Sequence, residues 1–312
     1  MKQAFLIALF CGILGACNQG ISVPEEAQDA SASTGWTAIP AGSANFNGVS
    51  GVSNSAVWVV GDNGTIGHWD GTNLLFETSG TKANLRGVWA LSAEEVYAVG
   101  DGGTILKRGA SGWQLVAKSL TRQVLTGVWA DTTRVVAVGS NGTIVLGTTT
   151  GYQLVSSSYT ENLFGVTGTP GGAVTAVGSL GLVVEINGTT VSRTPITNFT
   201  KLLVGVTTGS SNTYLVGQEG TVYRADATGL NPITGCPATA LRSVATVGAD
   251  AWIVGWDGTI CKVAGSSATS YQYGDNRWFN GIYAASASSL WVVGASGTLL
   301  HGLPRLPPKD AQ

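Results

Sequence analysis

The stretch GVWALSAEEVYAVGDGGTIL, residues 87–106, contains the repeated unit that decides the fold of this chain. Its signature Val-Gly-x-x-Gly-Thr occurs in six copies, and a seventh copy reads VGSLGL. The first glycines of successive copies are separated by 39 residues, except for one separation of 38 residues, and they are Gly61, Gly100, Gly139, Gly178, Gly217, Gly255 and Gly294. A fixed period of this length indicates seven copies of one structural unit.

Each unit has the pattern of four short β-strands. Apolar and polar residues alternate with a period of two, and β-branched and aromatic residues dominate. In the second unit the predicted strands are residues 85–90, 95–100, 104–108 and 113–118. Four antiparallel strands in roughly 40 residues are the content of one propeller blade. We therefore predict an all-β fold, a seven-bladed β-propeller with four antiparallel strands per blade.

The glycines of the signature lie at the turn between the second and third strands of a unit. A two-residue connection requires positive φ there, which Gly, Asn and Asp adopt at low cost. The residue pairs that we expect to take positive φ are Asp62-Asn63, Asp101-Gly102, Ser140-Asn141 and Trp256-Asp257.

The two ends of the repeat region indicate how the ring closes. The segment GWTAI, residues 35–39, aligns with GWQLV, residues 112–116, the fourth strand of a unit. The last unit ends with its third strand at residues 297–301. We predict that the N-terminal strand completes the last blade, since this removes two exposed sheet edges. The propeller is predicted over 35–302, followed by an extended, proline-containing tail over 303–312.

The N-terminus has the features of an export signal. Met1-Lys2 precedes an apolar stretch over 4–14, which is too short to span a bilayer as a helix. The following Leu-Gly-Ala-Cys resembles the lipobox of bacterial lipoproteins, which implies a signal peptide over 1–16 and lipid attachment at Cys17. The alternative is an ordinary secretory signal with a chance cysteine. Asn18, in place of the Asp of inner-membrane lipoproteins, favours the outer membrane over the inner membrane.

The segment after Cys17 is predicted to be a flexible tether over 17–34. It is small, polar and mildly acidic, and it contains no aromatic residue. Such a segment buries too little apolar surface to order itself.

The repeat over 87–106 resembles the bacterial propeller repeats grouped as BNR-like and YVTN/WD-like, and it is especially similar to the photosystem II assembly factor type. Lipoproteins with similar repeats are numerous in myxobacteria. The resemblance covers roughly 35–302 and implies the fold, whereas propellers as a class perform unrelated functions. The sialidase Asp-box, Ser-x-Asp-x-Gly-x-Thr-Trp, is absent, which disfavours a glycosidase.

Composition excludes several functional classes. Charged residues make up 11% of the chain and the net charge is −2, which gives no basic field for nucleic acid. The two histidines, His68 and His301, share one repeat position that elsewhere holds Lys, Leu, Glu or Arg, so we expect both to be exposed to solvent. We predict no metal site, no cofactor and no catalytic constellation.

Two cysteines, Cys236 and Cys261, are left once Cys11 is assigned to the signal peptide and Cys17 to the lipid. An oxidising envelope compartment favours a disulfide between them. The alternative is a pair of buried thiols.

Candidate binding residues follow from the repeat register. One residue in each unit, next to a buried apolar residue at the start of the first strand, is predicted to face the central channel. This ring consists of Asn47, Arg86, Thr126, Phe164, Val204, Arg242 and Asn280. Most tryptophans recur at repeat positions and are predicted to form the core, whereas Trp256 and Trp278 do not. The predicted partner face therefore comprises Asn47, Arg86, Thr126, Arg242, Asn280, Trp256 and Trp278.

These features predict a lipid-anchored protein of the bacterial cell envelope that is a nonenzymatic scaffold, adhesion protein or assembly factor. Its expected partner is another envelope protein, and its contact with the membrane is through the N-terminal lipid. A propeller that binds or hydrolyses glycans is the alternative, since paired acids could come from separate blades.

Overall fold

A computed structural model describes residues 35–117, 120–194, 196, 199–210, 212–227 and 229–305. Within these ranges the chain forms β-strands and short 3₁₀ turns, and no helix has the length and apolarity needed to cross a membrane. The predicted signal peptide, Cys17, the tether and most of the C-terminal tail lie outside the described residues.

The strands are numbered in chain order. They are β1 (Trp36–Ala38), β2 (Phe46–Ser53), β3 (Ala56–Gly61), β4 (Ile66–Trp69), β5 (Leu74–Glu77), β6 (Leu85–Ala90), β7 (Val96–Gly100), β8 (Thr104–Gly109), β9 (Gly112–Leu115), β10 (Leu125–Ala130), β11 (Arg134–Gly139), β12 (Ile144–Thr148), β13 (Gly151–Leu154) and β14 (Leu163–Gly168). The second half comprises β15 (Val174–Gly178), β16 (Val183–Asn187), β17 (Thr190–Arg193), β18 (Leu203–Thr208), β19 (Thr213–Gly217), β20 (Val222–Asp226), β21 (Gly229–Pro232), β22 (Leu241–Val247), β23 (Asp250–Gly255), β24 (Thr259–Ala264), β25 (Ser267–Gln272), β26 (Phe279–Ser286), β27 (Ser289–Gly294) and β28 (Leu299–Gly302).

These strands form seven antiparallel sheets of four strands each, which are the blades of a seven-bladed propeller. Blade 1 has the order β2-β3-β4-β5, and blades 2 to 6 repeat this order along the chain. Blade 7 has the order β1-β28-β27-β26. Strand β1 pairs with β28, with Trp36 opposite Gly302, so the N-terminal strand completes the last blade. The predicted fold and its ring closure are confirmed.

The core lies between neighbouring blades. Every residue of the second strands β3, β7 and β27 is buried, because each blade is covered on both faces by its neighbours. Trp58 of blade 1 packs against Leu85 and Val88 of blade 2, and Trp129 of blade 3 packs in the same way against blade 4. The repetition of tryptophan in register therefore serves packing between blades.

The glycine turn between the second and third strands differs from the prediction. Four residues connect β3 and β4, and positive φ falls on Asn63 (55°) and Gly64 (72°), with Asp62 outside that region. A Cβ at Gly64 would lie 2.1 Å from the carbonyl oxygen of Thr81, so the position requires glycine for space as well as for φ. The Thr65 hydroxyl donates to the carbonyl of Asp62 at 2.7 Å, which explains the threonine of the signature.

Candidate functional site

The central channel of the propeller is a cavity of about 610 Å³. The first strand of each blade lines it, and apolar residues such as Phe46 and Leu85, fully buried, alternate with residues that face the channel. All seven residues of the ring defined above lie on the cavity wall: Asn47, Arg86, Thr126, Phe164, Val204, Arg242 and Asn280.

Three ring residues connect neighbouring blades by hydrogen bonds. The side-chain amide of Asn47 donates to the carbonyl of Leu85 at 2.9 Å, and that of Asn280 donates to Phe46 at 2.9 Å across the ring closure. The hydroxyl of Thr126 donates to the carbonyl of Leu163 at 2.7 Å. In each case the acceptor is the first residue of the next blade. These side chains therefore already stabilise the ring, whatever else they bind.

Arg86 is paired within its own blade. Its Nε donates to Asp101 Oδ1 at 2.9 Å and its Nη2 to Asp101 Oδ2 at 3.1 Å, which is a bidentate arginine–carboxylate pair. The Asn84 amide donates to the same carboxylate at 2.9 Å. The hydrogen bond from Arg86 holds the pKa of Asp101 below its ordinary value, and the same bond raises the pKa of Arg86.

Arg242 occupies the same ring position in blade 6, but it has no carboxylate partner among the described residues. Four buried side-chain nitrogens in the described part of the chain lack a hydrogen-bond partner; three are tryptophan indole groups and the fourth is Nε of Arg242. The guanidinium lies 6.0 Å from the ring centroid of Trp256. Burial lowers the pKa of Arg242, and no charged neighbour compensates for the lost hydration.

Trp256 and Trp278 form an exposed aromatic pair beside Arg242. Their ring centroids are 4.8 Å apart and their planes differ by 15°, so the two indoles are stacked. Trp256 is 38% exposed and Trp278 is 50% exposed, whereas Trp58, Trp129 and Trp291 are almost completely buried. The structure thus brings together three of the predicted partner-face residues at one side of the channel mouth.

The two histidines are half-buried, so the prediction that they face solvent is wrong. His68 stacks on Trp58 with ring centroids 4.4 Å apart, and His301 stacks on Trp291 at 4.3 Å. Ser289 lies within hydrogen-bond distance of His301 Nε2, at 2.8 Å. Burial lowers the pKa of both histidines, and both complete the packing of a core tryptophan. No group of three or more metal-ligating side chains occurs among the described residues.

Cys236 and Cys261 form a disulfide, with their Cα atoms 5.7 Å apart. It links the connection before blade 6 to β24. Cys261 is fully buried in the cluster that contains Leu241 and Val244 of β22, the strand that carries Arg242. The disulfide therefore attaches the connection before blade 6 to the blade that carries Arg242.

Sequence reasoning missed the partner that distinguishes the two ring arginines. Asp101 and Trp256 are the first residues after the strand glycine in VGDGGT and VGWDGT, so the signal was present in the aligned repeats. Comparing the ring residue with this turn residue, blade by blade, would have separated Arg86 from Arg242.

Comparisons with known proteins support the fold. No protein-family model and no curated protein matches the sequence. A solved structure described as YCF48 bound to D1 peptide aligns over 92% of this chain and 98% of its own, at 15% identity and a TM-score of 0.70. A catalytically inactive virginiamycin B lyase from Staphylococcus aureus with quinupristin aligns over 86% and 99%, at 14% identity and 0.76.

The WD40 β-propeller domain of Doa1 also aligns, over 86% of this chain and 96% of its own, at 12% identity and a TM-score of 0.66. At such identities the likeness shows the fold alone. These propellers include one described with a bound peptide and one that is a lyase. The same fold therefore hosts both binding and catalysis.

Proposed function

We propose that this protein is a lipid-anchored propeller of the bacterial cell envelope that binds another envelope protein at the channel mouth, on the face that carries the glycine turns. The stacked, exposed Trp256 and Trp278 beside Arg242 carry this proposal. Exposed aromatic residues next to an arginine are the composition of interaction hot spots, and such clusters account for much of the binding free energy at protein interfaces.

The proposed role is nonenzymatic. The ring residues other than Arg242, Phe164 and Val204 hold hydrogen bonds or an ion pair within the propeller, and both histidines pack on core tryptophans. A general base or nucleophile needs a tunable group within reach of a substrate, and these side chains are already engaged. The described mouth of the channel instead offers shape, aromatic surface and, in Arg242, a cation without a carboxylate partner.

Membrane attachment through Cys17 and placement in the outer membrane are part of the same proposal. A tether over 17–34 would let the rigid propeller reach partners at a distance from the lipid surface. Replacing Cys17 with Ala is expected to move the protein from the membrane fraction to the soluble envelope fraction. An unchanged membrane pool would contradict the anchor.

Site-specific photo-crosslinking in cells tests the partner. A photoreactive amino acid at Ser296, an exposed residue of the blade 7 turn on the same face, is expected to capture a defined protein. The same group at the exposed Thr149, in the turn between β12 and β13 on the opposite face, is the matched control and should not capture it. Equal capture at both positions, or at neither, would contradict binding at this face.

The second candidate is glycan binding, which the two exposed indoles favour because carbohydrate rings stack on tryptophan. A glycan array probed with the full-length protein and with Trp278→Ala distinguishes the two. Sugar binding that disappears in the variant, with no crosslinked protein, would favour the glycan.

A further inference from the structure

The repeat makes the environment of Arg242 directly comparable with that of Arg86. In blade 2 the turn residue Asp101 supplies a carboxylate that both Nε and Nη2 of Arg86 bind. In blade 6 the equivalent turn residue is Trp256, and the described residues supply Arg242 with no carboxylate. The fold is the same and the cation is the same, but the anion is missing.

An unpaired, partly buried guanidinium is costly to maintain. Burial removes water from a charge, and a hydrogen-bonded anion normally compensates for it. The Nε of Arg242 is buried without any hydrogen bond, and the side chain lines the central cavity. Its interaction with the Trp256 ring, at 6.0 Å, lies at the outer limit for a cation–π contact. A carboxylate from outside the chain would complete this environment.

A second difference between the repeats lies beside Arg242, at the junction between blades 6 and 7. Asn45, Asn84 and Asn162 precede the first strands of their blades, and each accepts a backbone N–H from the turn of the preceding blade: from Ser296, Asn63 and Asn141, respectively, all at 2.9 Å. The equivalent residue before blade 7 is Trp278. It stacks on Trp256 of the preceding turn instead. The residues before blades 3, 5 and 6 are Val124, Leu202 and Ala240, so the asparagine is not common to all blades, but only the junction of blades 6 and 7 has tryptophan at both the turn position and the position before the first strand.

We propose that Arg242 binds a carboxylate of a polypeptide ligand on the side of the guanidinium that faces the central channel, and that an adjacent apolar or aromatic ligand residue packs on the pair Trp256–Trp278. The inference rests on the proposed protein-binding function and names the chemistry that the partner must supply. The carboxylate is either an Asp or Glu side chain or the C-terminus of the chain.

The geometry favours a carboxylate on a polypeptide over an acidic sugar. The Arg86–Asp101 pair shows that a guanidinium carried at this ring position can bind a planar carboxylate through two nitrogens. The exposed pair Trp256–Trp278 beside an arginine has the composition of a protein–protein hot spot, which favours a polypeptide. An acidic glycan is therefore an outcome that the test must detect.

The test is a screen of a random hexapeptide library against the full-length protein, with one half of the library ending in a free carboxylate and the other half in an amide. Peptides that bind are expected to contain an acid next to an apolar or aromatic residue. Enrichment restricted to the free-carboxylate half identifies the chain end as the source, whereas enrichment of Asp or Glu in both halves identifies side chains. An oligogalacturonate is the acidic-glycan probe.

The affinity of protein variants for the best peptide is then measured by fluorescence anisotropy. Arg242→Gln removes the cation and is expected to weaken binding by about tenfold or more, as for loss of a charged hydrogen bond. Trp256→Asp supplies the internal carboxylate of blade 2 but also removes one indole, so it is compared with Trp256→Asn, which removes the indole alone and is expected to bind more tightly than Trp256→Asp. Ser140→Asp is the matched control because it adds the same charge at the same turn position of blade 3. It should leave affinity within about twofold, and circular dichroism verifies that each variant is folded.

The outcomes separate this inference from the proposed function. Peptides without acids, or affinity that survives Arg242→Gln and Trp256→Asp in folded protein, would overturn the inference. The absence of any bound peptide would do the same, as would binding of oligogalacturonate alone. A partner crosslinked at Ser296 whose capture is unaffected by either variant would leave the protein-binding function standing while the carboxylate site fails.

Discussion

Blades 2 and 6 carry an arginine at the same position of the channel wall, but only the arginine of blade 2 has a carboxylate partner among the described residues. Arg86 is held by Asp101 through two hydrogen bonds at 2.9 and 3.1 Å. The Arg242 guanidinium carbon lies 6.0 Å from the ring centroid of Trp256, and its Nε has no hydrogen-bond partner among the described residues. Strand order and turn are shared, and the turn residue, Asp101 in one blade and Trp256 in the other, decides whether the arginine has a carboxylate partner. The difference teaches that a repeat can keep a cation in one position of the channel wall while it changes the partner of that cation.

The wider surroundings of the two arginines differ as well. Asn84 adds a third hydrogen bond to the Asp101 carboxylate, so the blade 2 arrangement is closed within the protein. Blade 6 has Ala240 at the equivalent position, and the neighbouring junction presents the exposed pair Trp256–Trp278. Blade 6 also contains the disulfide Cys236–Cys261. Arg242 therefore lies on the blade that contains the disulfide.

The largest expected effect concerns that link. Replacing Cys261 with Ser should lower the free energy of unfolding by about 3 kcal/mol, because the disulfide closes a loop of 25 residues in the unfolded chain. Urea denaturation measures the loss. Cys236→Ser is the matched control and should cost about the same, with no further loss in the double variant. A cost well below 1 kcal/mol would show that blade 6 needs no additional constraint.

The next effect comes from making blade 2 resemble blade 6. Asp101→Trp should destabilise the protein by about 2 kcal/mol, because Arg86 loses a charged hydrogen-bond partner and remains partly buried. Asp62→Trp is the control, since in the described part of the chain the Asp62 carboxylate accepts from the neutral amides of Asn45 and Asn47 and has no hydrogen bond from Arg86. It should cost less. Equal losses of unfolding free energy in the two variants would mean that the Arg86–Asp101 pair contributes no more to stability than the hydrogen bonds of Asp62.

The reverse exchange should produce a smaller gain. Trp256→Asp is expected to be more stable than Trp256→Asn by about 1 kcal/mol, because both variants lose the indole but only Asp gives Arg242 the partner that Arg86 has. Ser140→Asp, in a blade without a ring arginine, should change the stability by less than about 0.5 kcal/mol. Equal stability of Trp256→Asp and Trp256→Asn would contradict the pairing of Arg242 with a carboxylate at this turn.

The smallest effect is a pH dependence of the stability that the Arg86–Asp101 pair of blade 2 contributes. The pKa of Asp101 is held below its ordinary value of 3.8 by the hydrogen bond from Arg86, so its contribution is present above that pH and is lost as pH falls through the folded-state pKa. The stability difference between wild type and Asp101→Asn, measured by urea denaturation, should therefore shrink in this acidic range. A difference that is constant from pH 7 to pH 2.5 would contradict the pairing.

The sequence predicts the architecture because every blade repeats the same glycine signature and the same pattern of four strands. The period gave the blade number, and the alignment of GWTAI with GWQLV predicted that β1 pairs with β28. The turn was wrong in detail because positive φ falls on the second residue of each pair and on the following glycine, as at Asn63 and Gly64. A two-residue turn was assumed where four residues connect the strands.

The sequence predicts which residues of the site line the channel. It does not predict the contacts between residues of different blades, because these residues are separated along the chain. The ring positions follow from strand alternation and all of them line the cavity. The hydrogen bond from Asn280 to Phe46 joins residues that are far apart in sequence, and the stacking of Trp256 on Trp278 spans two blades. The histidines were misjudged since their repeat position holds charged residues elsewhere, whereas here each ring lies flat on a buried tryptophan.

The most direct test of the binding site is a nuclear magnetic resonance titration of the arginine side-chain Nε–H groups with the best acidic peptide from the screen. The Arg242 signal is expected to shift on addition of the peptide. The Arg86 signal is expected to stay in place, because Asp101 already binds the Arg86 guanidinium. Signals of Arg86 and Arg242 that shift together, or an Arg242 signal that does not move while the peptide binds, would contradict the account.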